Sequence, residues 1–321
     1  LVLGRINPHY VLGGRLKIDA QLSRAAMKKQ IADPMGLSVE AAAQGVISVV
    51  NSNMARAIRV ITVEKGHNPS DFTLVAYGGA GPLHAVHLAQ EMGIRTVLIP
   101  PAPGALCALG LLTADIKKSY VKTALIPYDQ ATPEQINQAV LPLMEEGSRW
   151  LASENVPEQR RQFHNVAEMR YVGQNYELQV ELPAGPVSQE DLTQMKEDFF
   201  RAHEMNYGYY NPNAPVQFVN FRSEAIGQVQ KPRLAELTDR MEDPSGAVID
   251  HRDVYFEESG LVCCPVYDRS KFGRCPRVDG PCIVEQMDST TVIPPNTWFE
   301  VDLHGNLIVN AFGEEEGGDQ A

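Results

Sequence analysis

The run Phe72–Tyr77 (FTLVAY), followed at once by Gly78-Gly79-Ala80-Gly81-Pro82, restricts the fold more than any other feature of this sequence. A near-continuous apolar run predicts a strand covered on both faces, the environment of a sheet sandwiched between helices. Leu83–Met92 then reads as a helix ended by Gly93, and Arg95–Ile99 (RTVLI) as a second buried strand. Pro100–Gly104 predicts a turn and Ala105–Ala114 a helix of small residues. Strand, glycine bend, helix, strand and helix in that order make an α/β layer.

The bend carries chemistry as well as topology. Without Cβ atoms the backbone can approach a ligand closely and adopt positive φ. The free N–H groups of the helix behind it favour an anion. Gly78, Gly79, Ala80 and Gly81 are therefore the candidate ligand-contact residues, and the alternative is a tight turn that only joins strand to helix. The pattern is neither G-x-G-x-x-G nor G-x-x-x-x-G-K-[ST], so it names no dinucleotide fold or P-loop. His84, in the first turn of the helix, is a further candidate where a phosphate or substrate could reach. His87 shares its face at i+3, but two histidines without a third ligand define no metal site. No metal site and no catalytic residue is assigned.

Before this layer, residues 4–14 (GRINPHYVLGG) are loop-like. Residues 23–32 predict a short helix that Asp33-Pro34 should end. Val39–Lys65 predicts a long helix with a 3.6-residue apolar stripe, Ser38 as N-cap and Gly66 just past its end. After it come a helix over Pro133–Ala152 and alternating antiparallel strands within Val166–Leu182, with a turn near Gly173. An amphipathic helix over Ser188–Tyr207 and a strand over Val216–Val229 follow. Residues 253–309 break into short strands. Glu285, Asp288, Ser289 and Thr290 (in EQMDSTT) form a polar cluster that suits either a site or a strand-edge turn. Tyr207, Tyr209 and Tyr210 in YGYYNP read as packing around a turn.

Charge divides the chain. Residues 1–126 carry 13 Lys+Arg against 7 Asp+Glu, while residues 127–321 carry 15 against 33. That step places a boundary near 120–130, with domains over 1–120 and 121–313 and a disordered acidic tail over 314–321. A formal net charge of −12 argues against nucleic acid or an anionic membrane as the main partner. No uninterrupted apolar run reaches the roughly 18 residues of a membrane span. Five cysteines without a regular framework suit a reduced, cytoplasmic setting. Leu1 opens the sequence as though in mid-domain, which suggests a piece or subunit of something longer.

The long helix, GGAGP (78–82), and a later helix containing CALGLL (107–112) resemble the second lobe of the actin-like ATPase (ribonuclease H-like) fold. There a strand–Gly-Gly turn embraces adenosine. Five segments in order, LGRINPHYVLGG (3–14), ARAIRVITVEKGHNPSDFTLVAYGGAGPLHA (55–85), PPAPGALCALGLL (100–112), MRYVGQNYEL (169–178) and GPCIVEQMDSTTVIPP (280–295), resemble the C-terminal half of the hydantoinase/oxoprolinase family. The resemblance implies an α/β second lobe followed by a mixed α+β, β-rich region. It implies an ATP-dependent cyclic-amide hydrolase subunit that phosphorylates the substrate carbonyl oxygen. It also implies ATP and Mg²⁺ as cofactors, a hydantoinase B-like partner subunit or domain, and an oligomer. Two other readings stay open: an acetone or acetophenone carboxylase-type subunit, acting on a ketone, and a non-catalytic scaffold for the partner. One departure matters. The Asp-x-Gly-Gly-Thr hairpin that holds β- and γ-phosphates with Mg²⁺ in this family occurs nowhere in the chain. The Mg²⁺ ligands and half of the ATP cleft are therefore expected on other polypeptide, and this stretch alone should turn over nothing.

Overall fold

The computed structural model describes residues 1–231 and 235–313. The acidic tail expected at 314–321 lies outside the described residues. The chain forms two compact units, one made of Leu1–Leu111 with the described residues 235–313, the other of residues 112–231. The chain leaves the first unit after Leu111 and rejoins it by residue 235. Strands from the far end return to pair with that unit's own sheet, a long-range pairing that no local composition signals.

The first unit begins with α1 (Ala20–Met27), a π-helical turn over Lys28–Ala32, and α2 (Asp33–Met35). Pro34 does not end this path as expected. The wider π turn shifts the hydrogen-bond ladder, so the proline's missing N–H falls at the start of a new turn. The path stops instead at Gly36, φ 65°. Next is α3 (Val39–Ile61), capped by Ser38, whose hydroxyl accepts from Ala41 N–H at 3.1 Å. A 3₁₀ turn then leads to Gly66, φ 82°. With that turn, Val39–Lys65 is by length and composition long and apolar enough to cross a membrane, which counting uninterrupted runs had missed. Its buried Gln44 and Asn51 bond to Arg5 and His84 of the same unit, which fixes the helix within this fold.

Then follow β1 (Leu74–Val75), α4 (Gly81–Met92), β2 (Thr96–Ile99) and α5 (Leu106–Thr113). β1 is shorter and barer than the sequence predicts. It lies at a sheet edge beside β2, and Phe72, Val75 and Tyr77 are about half exposed. A continuous apolar run signals two covered faces, and here the covering is one-sided.

The second unit contains β3 (Ile116–Pro127), α6 (Pro133–Ser153), β4 (Arg161–Tyr171), β5 (Leu178–Glu181), α7 (Gln189–Tyr207) and β6 (Val216–Gly227). Its four-stranded antiparallel sheet has the order β3-β6-β4-β5. Thr132 and Ser188 form capping boxes on the two helices. Tyr209 and Tyr210 do pack around a turn. Tyr209 O accepts from His203 Nδ1 at 2.6 Å, and Tyr210 stacks on Phe200. Gly147 lets α6 approach the sheet, since a Cβ there would lie 2.8 Å from Ala225 Cβ and 2.9 Å from Phe163. Gly147→Ala is expected to lower stability by about 1–3 kcal/mol through overpacking. Gly45→Ala on α3 meets nothing within 4 Å and is expected to gain up to about 1 kcal/mol. Thermal melts of the two variants, which should move in opposite directions, check this.

The chain returns through β7 (Val248–Phe256), β8 (Gly260–Asp268), β9 (Cys275–Asp279), β10 (Cys282–Gln286), β11 (Ser289–Ile293), β12 (Trp298–Val301) and β13 (Leu307–Asn310). β13 pairs antiparallel with β2, giving a five-stranded sheet β1-β2-β13-β12-β9, and β11-β10-β8-β7 form another. Fully buried Val97, Ile99, Phe299, Leu307 and Val309 belong to the core of this unit. The whole is a mixed α/β structure.

Candidate functional site

In the first unit four turns converge. The glycine bend is fixed from behind, where Gly78 N–H donates to Pro103 O at 2.7 Å. The β10–β11 hairpin tip is latched to the same 101–104 turn. Asp288 Oδ2 accepts from Gly104 N–H at 2.8 Å, and its Oδ1 from Gln286 Nε2 at 2.6 Å. Gln286 Nε2 also donates to Pro101 O at 3.1 Å. Gly104 is required here, because a Cβ would lie 2.6 Å from the Asp288 carboxylate. The loop at residues 6–12 supplies the remaining wall.

Between these turns lies a groove of about 260 Å³. Its apolar walls include Tyr10, Leu12, Leu83 and Met287, and its polar edge includes Asn7, Glu285 and Ser289. Gly79 and Ala80 line it. Ala80, the residue before α4, gives no side-chain cap, but Pro82 carries no N–H and Leu83 N–H donates to Ala80 O at 3.1 Å, so this end offers a ligand mainly the bare backbone of Gly79 and Ala80. Glu285 is 3% exposed, and its Oε1 accepts from Arg252 Nη2 at 2.7 Å. Among the described residues its Oε2 has only Asn7 Nδ2, at 3.5 Å.

Of the expected residues, Gly79 and Ala80 are on the groove. Gly78, φ 82°, shapes the bend behind them, and Gly81 opens α4. His84 is not among the groove's lining residues. Its Nδ1–H donates to Asn51 Oδ1 on α3 at 2.8 Å. Leu83 takes the groove-facing place, and one residue later the helix has turned by about 100°. Burial, helped by the Arg5 guanidinium, holds His84 below the usual imidazole range and pushes His87 down to about 4. Glu285, Asp288, Ser289 and Thr290 do come together around the hairpin tip. Arg252 went unnoticed because an Arg in an alternating strand carries no local signal of a buried partner.

The His87 shift has a sign. An unfolded chain protonates this imidazole near 6.5, the folded one only near 4. Its contribution is thus complete above about pH 6.5 and is lost as pH falls toward 4, by at most about 3 kcal/mol. His87→Gln should flatten that part of the stability–pH profile, measured by denaturant unfolding from pH 7 to 4.

The mixed α/β core with its glycine-lined groove fits the actin-like ATPase type of fold. The hydantoinase/oxoprolinase family model matches residues 1–120, and the model of that family's C-terminal domain matches residues 128–310. The chain belongs to the hydantoinase/oxoprolinase family. It is 33% identical to the caprolactamase subunit alpha of Pseudomonas jessenii, over 94% of this chain and 44% of that one. The crystal structure of the ATP-dependent caprolactamase from that organism superposes with a TM-score of 0.77 at 31% identity, covering 96% of this chain and 45% of that one. The nucleotide-free acetone carboxylase structure does so with a TM-score of 0.82 at 27% identity, covering 97% and 45%. The 5-oxoprolinase 1 of Arabidopsis thaliana is 27% identical over 96% of this chain and 25% of its own. The chain spans less than half the length of these relatives.

Proposed function

We propose that this chain is the adenosine-side part of an ATP-dependent enzyme subunit that activates a cyclic amide for hydrolysis. The observation that carries this reading is the groove beside Gly79 and Ala80 in a chain of this family. The groove fits a purine nucleoside. Its walls are apolar at Tyr10, Leu83 and Met287, the backbone is bare at Gly79, and hydrogen-bonding groups stand at one edge. ATP supplies a phosphoryl group, which on an amide oxygen makes a poor electrophile a good one. The residues here position and complement charge. The bare backbone at Gly79 and Ala80 lets a nucleotide approach closely, and Asp288 holds the hairpin tip against the 101–104 turn. Among the described residues no cluster of three or more His, Cys, Asp or Glu could hold a metal, so no step is assigned to Mg²⁺. The Mg²⁺ ligands, with the Asp-x-Gly-Gly-Thr hairpin, would come from polypeptide outside this chain. A B-like partner subunit, supported by relatives named as subunits, would complete the reaction. The cytoplasm, with its ATP and reducing conditions, suits an enzyme with five unpaired cysteines.

A second reading, a ketone carboxylase subunit, is favoured by the acetone carboxylase likeness. ATPase assays of the full-length protein with its partner separate the two. Stimulation by caprolactam or a hydantoin supports the hydrolase, and stimulation by acetone with bicarbonate supports the carboxylase. A scaffold would co-purify with the partner and show neither.

A further inference from the structure

The β10–β11 hairpin brings to the groove a buried carboxylate with an oxygen to spare. Side chains two apart on a strand share a face, so Glu285 stands on the same face of β10 as Ile283. On β7, Arg252 likewise shares a face with Val254 and Phe256. Ile283, Val254 and Phe256 belong to one buried cluster, and Leu83 of α4 packs against it. Leu83 also lines the groove, which places the Glu285 side chain on the groove side of β10.

The two carboxylate oxygens face different surroundings. Oε1 turns to Arg252, which is not among the groove's lining residues, and accepts from its Nη2 at 2.7 Å. Oε2 turns to the groove wall at Asn7. The 3.5 Å between Oε2 and Asn7 Nδ2 is at the long limit of a hydrogen bond. A carboxylate offers about four acceptor positions, and a buried one left short of donors is costly. Glu285 is buried, so a ligand is the available source of a good donor to Oε2. Thr290 lies directly across the hairpin from Glu285 and also lines the groove. Residues opposite in this way have Cβ atoms about 5 Å apart, so a hydroxyl stands beside the carboxylate at one edge.

A flat purine suits the bare backbone at Gly79 and the apolar walls at Tyr10, Leu83 and Met287. A carboxylate beside a hydroxyl suits the sugar, whose vicinal hydroxyls donate and accept in neighbouring positions. An acidic side chain on a ribose hydroxyl is a recurrent way for α/β folds to hold a nucleotide. We propose that Glu285 and Thr290 read the sugar of the bound nucleotide: Glu285 Oε2 accepts from one ribose hydroxyl, and the Thr290 hydroxyl bonds its neighbour. On the nucleotide reading of the groove, on which this rests, the hairpin then selects ribonucleotides over deoxynucleotides.

The test is equilibrium titration of the full-length protein with ATP, 2′,3′-dideoxyATP and inosine triphosphate, which lacks the base amine. ATP should bind at least about tenfold more tightly than dideoxyATP. In Glu285→Gln the amide oxygen stays with Arg252 and turns the NH₂ to the groove, so the ratio should fall to about threefold or less. Thr290→Val, of nearly the same shape, should lower the ratio severalfold, and melting curves show that each variant is folded. Equal affinity of the parent for ATP and dideoxyATP, or a ratio that neither substitution moves, would overturn the proposal. So would a Glu285→Gln variant that changes the ATP-to-inosine triphosphate ratio instead, since the carboxylate would then read the base. No binding of any of the three would overturn this proposal and the nucleotide reading together, whereas binding without sugar selection would leave that reading standing.

Discussion

Gly79→Val in the full-length enzyme is expected to lower ATP affinity at least about tenfold, or about 1.4 kcal/mol, while the protein still folds. Gly79 lines the groove, and a Cβ there would lie 3.2 Å from Asp288 O, so valine methyls intrude on both the hairpin tip and the ligand space. Its φ is not in the left-handed region, so the substitution strains no backbone. Gly78→Ala is the contrasting variant. With φ 82° it strains the bend, yet its Cβ meets nothing within 4 Å, and it should cost stability of roughly 1 kcal/mol with a smaller effect on nucleotide. Equilibrium binding of ATP and melting curves on both variants check the pair. Unchanged affinity in Gly79→Val would reject the adenosine assignment.

Arg252→Met is expected to produce the largest loss of stability, about 3–5 kcal/mol, because it leaves the Glu285 carboxylate buried and uncompensated. Glu285 is 3% exposed and Arg252 16%, at 2.7 Å. Even at about 2 °C per kcal/mol, Tm should fall by several degrees. The double variant Arg252→Met/Glu285→Gln removes both charges and should recover most of that loss. It should still bind nucleotide more weakly than the parent, since Glu285 also forms the polar edge of the groove. Melting curves for the parent, both single variants and the double variant give the coupling directly. A single variant as stable as the parent would show that the pair is hydrated rather than buried.

The local order of elements was legible because each has a local cause. The stripe and Ser38 cap define α3, Ser188 caps the start of α7, and Gly93 ends α4. The glycine bend was legible for the same reason, and with it Gly79 and Ala80. Local rules failed where neighbours decide. Pro34 was read as a stop, but a π turn carries the helical path past it. The apolar Phe72–Tyr77 run was read as doubly covered, yet its strand lies at an edge.

By itself the sequence determined the family, the alternation of strand and helix from residue 72 to residue 113, and the bare-backbone bend. These depend on side-chain type and spacing within a turn or two of the chain. Tertiary structure alone decided that β13 pairs with β2 and that the 285–290 hairpin closes the groove beside the bend. It alone set Arg252 against Glu285, turned His84 toward α3, and buried Arg5 against Gln44. Each of these is a meeting of residues far apart in the chain. Such meetings are set by how whole surfaces pack, and no window of neighbouring residues contains that information.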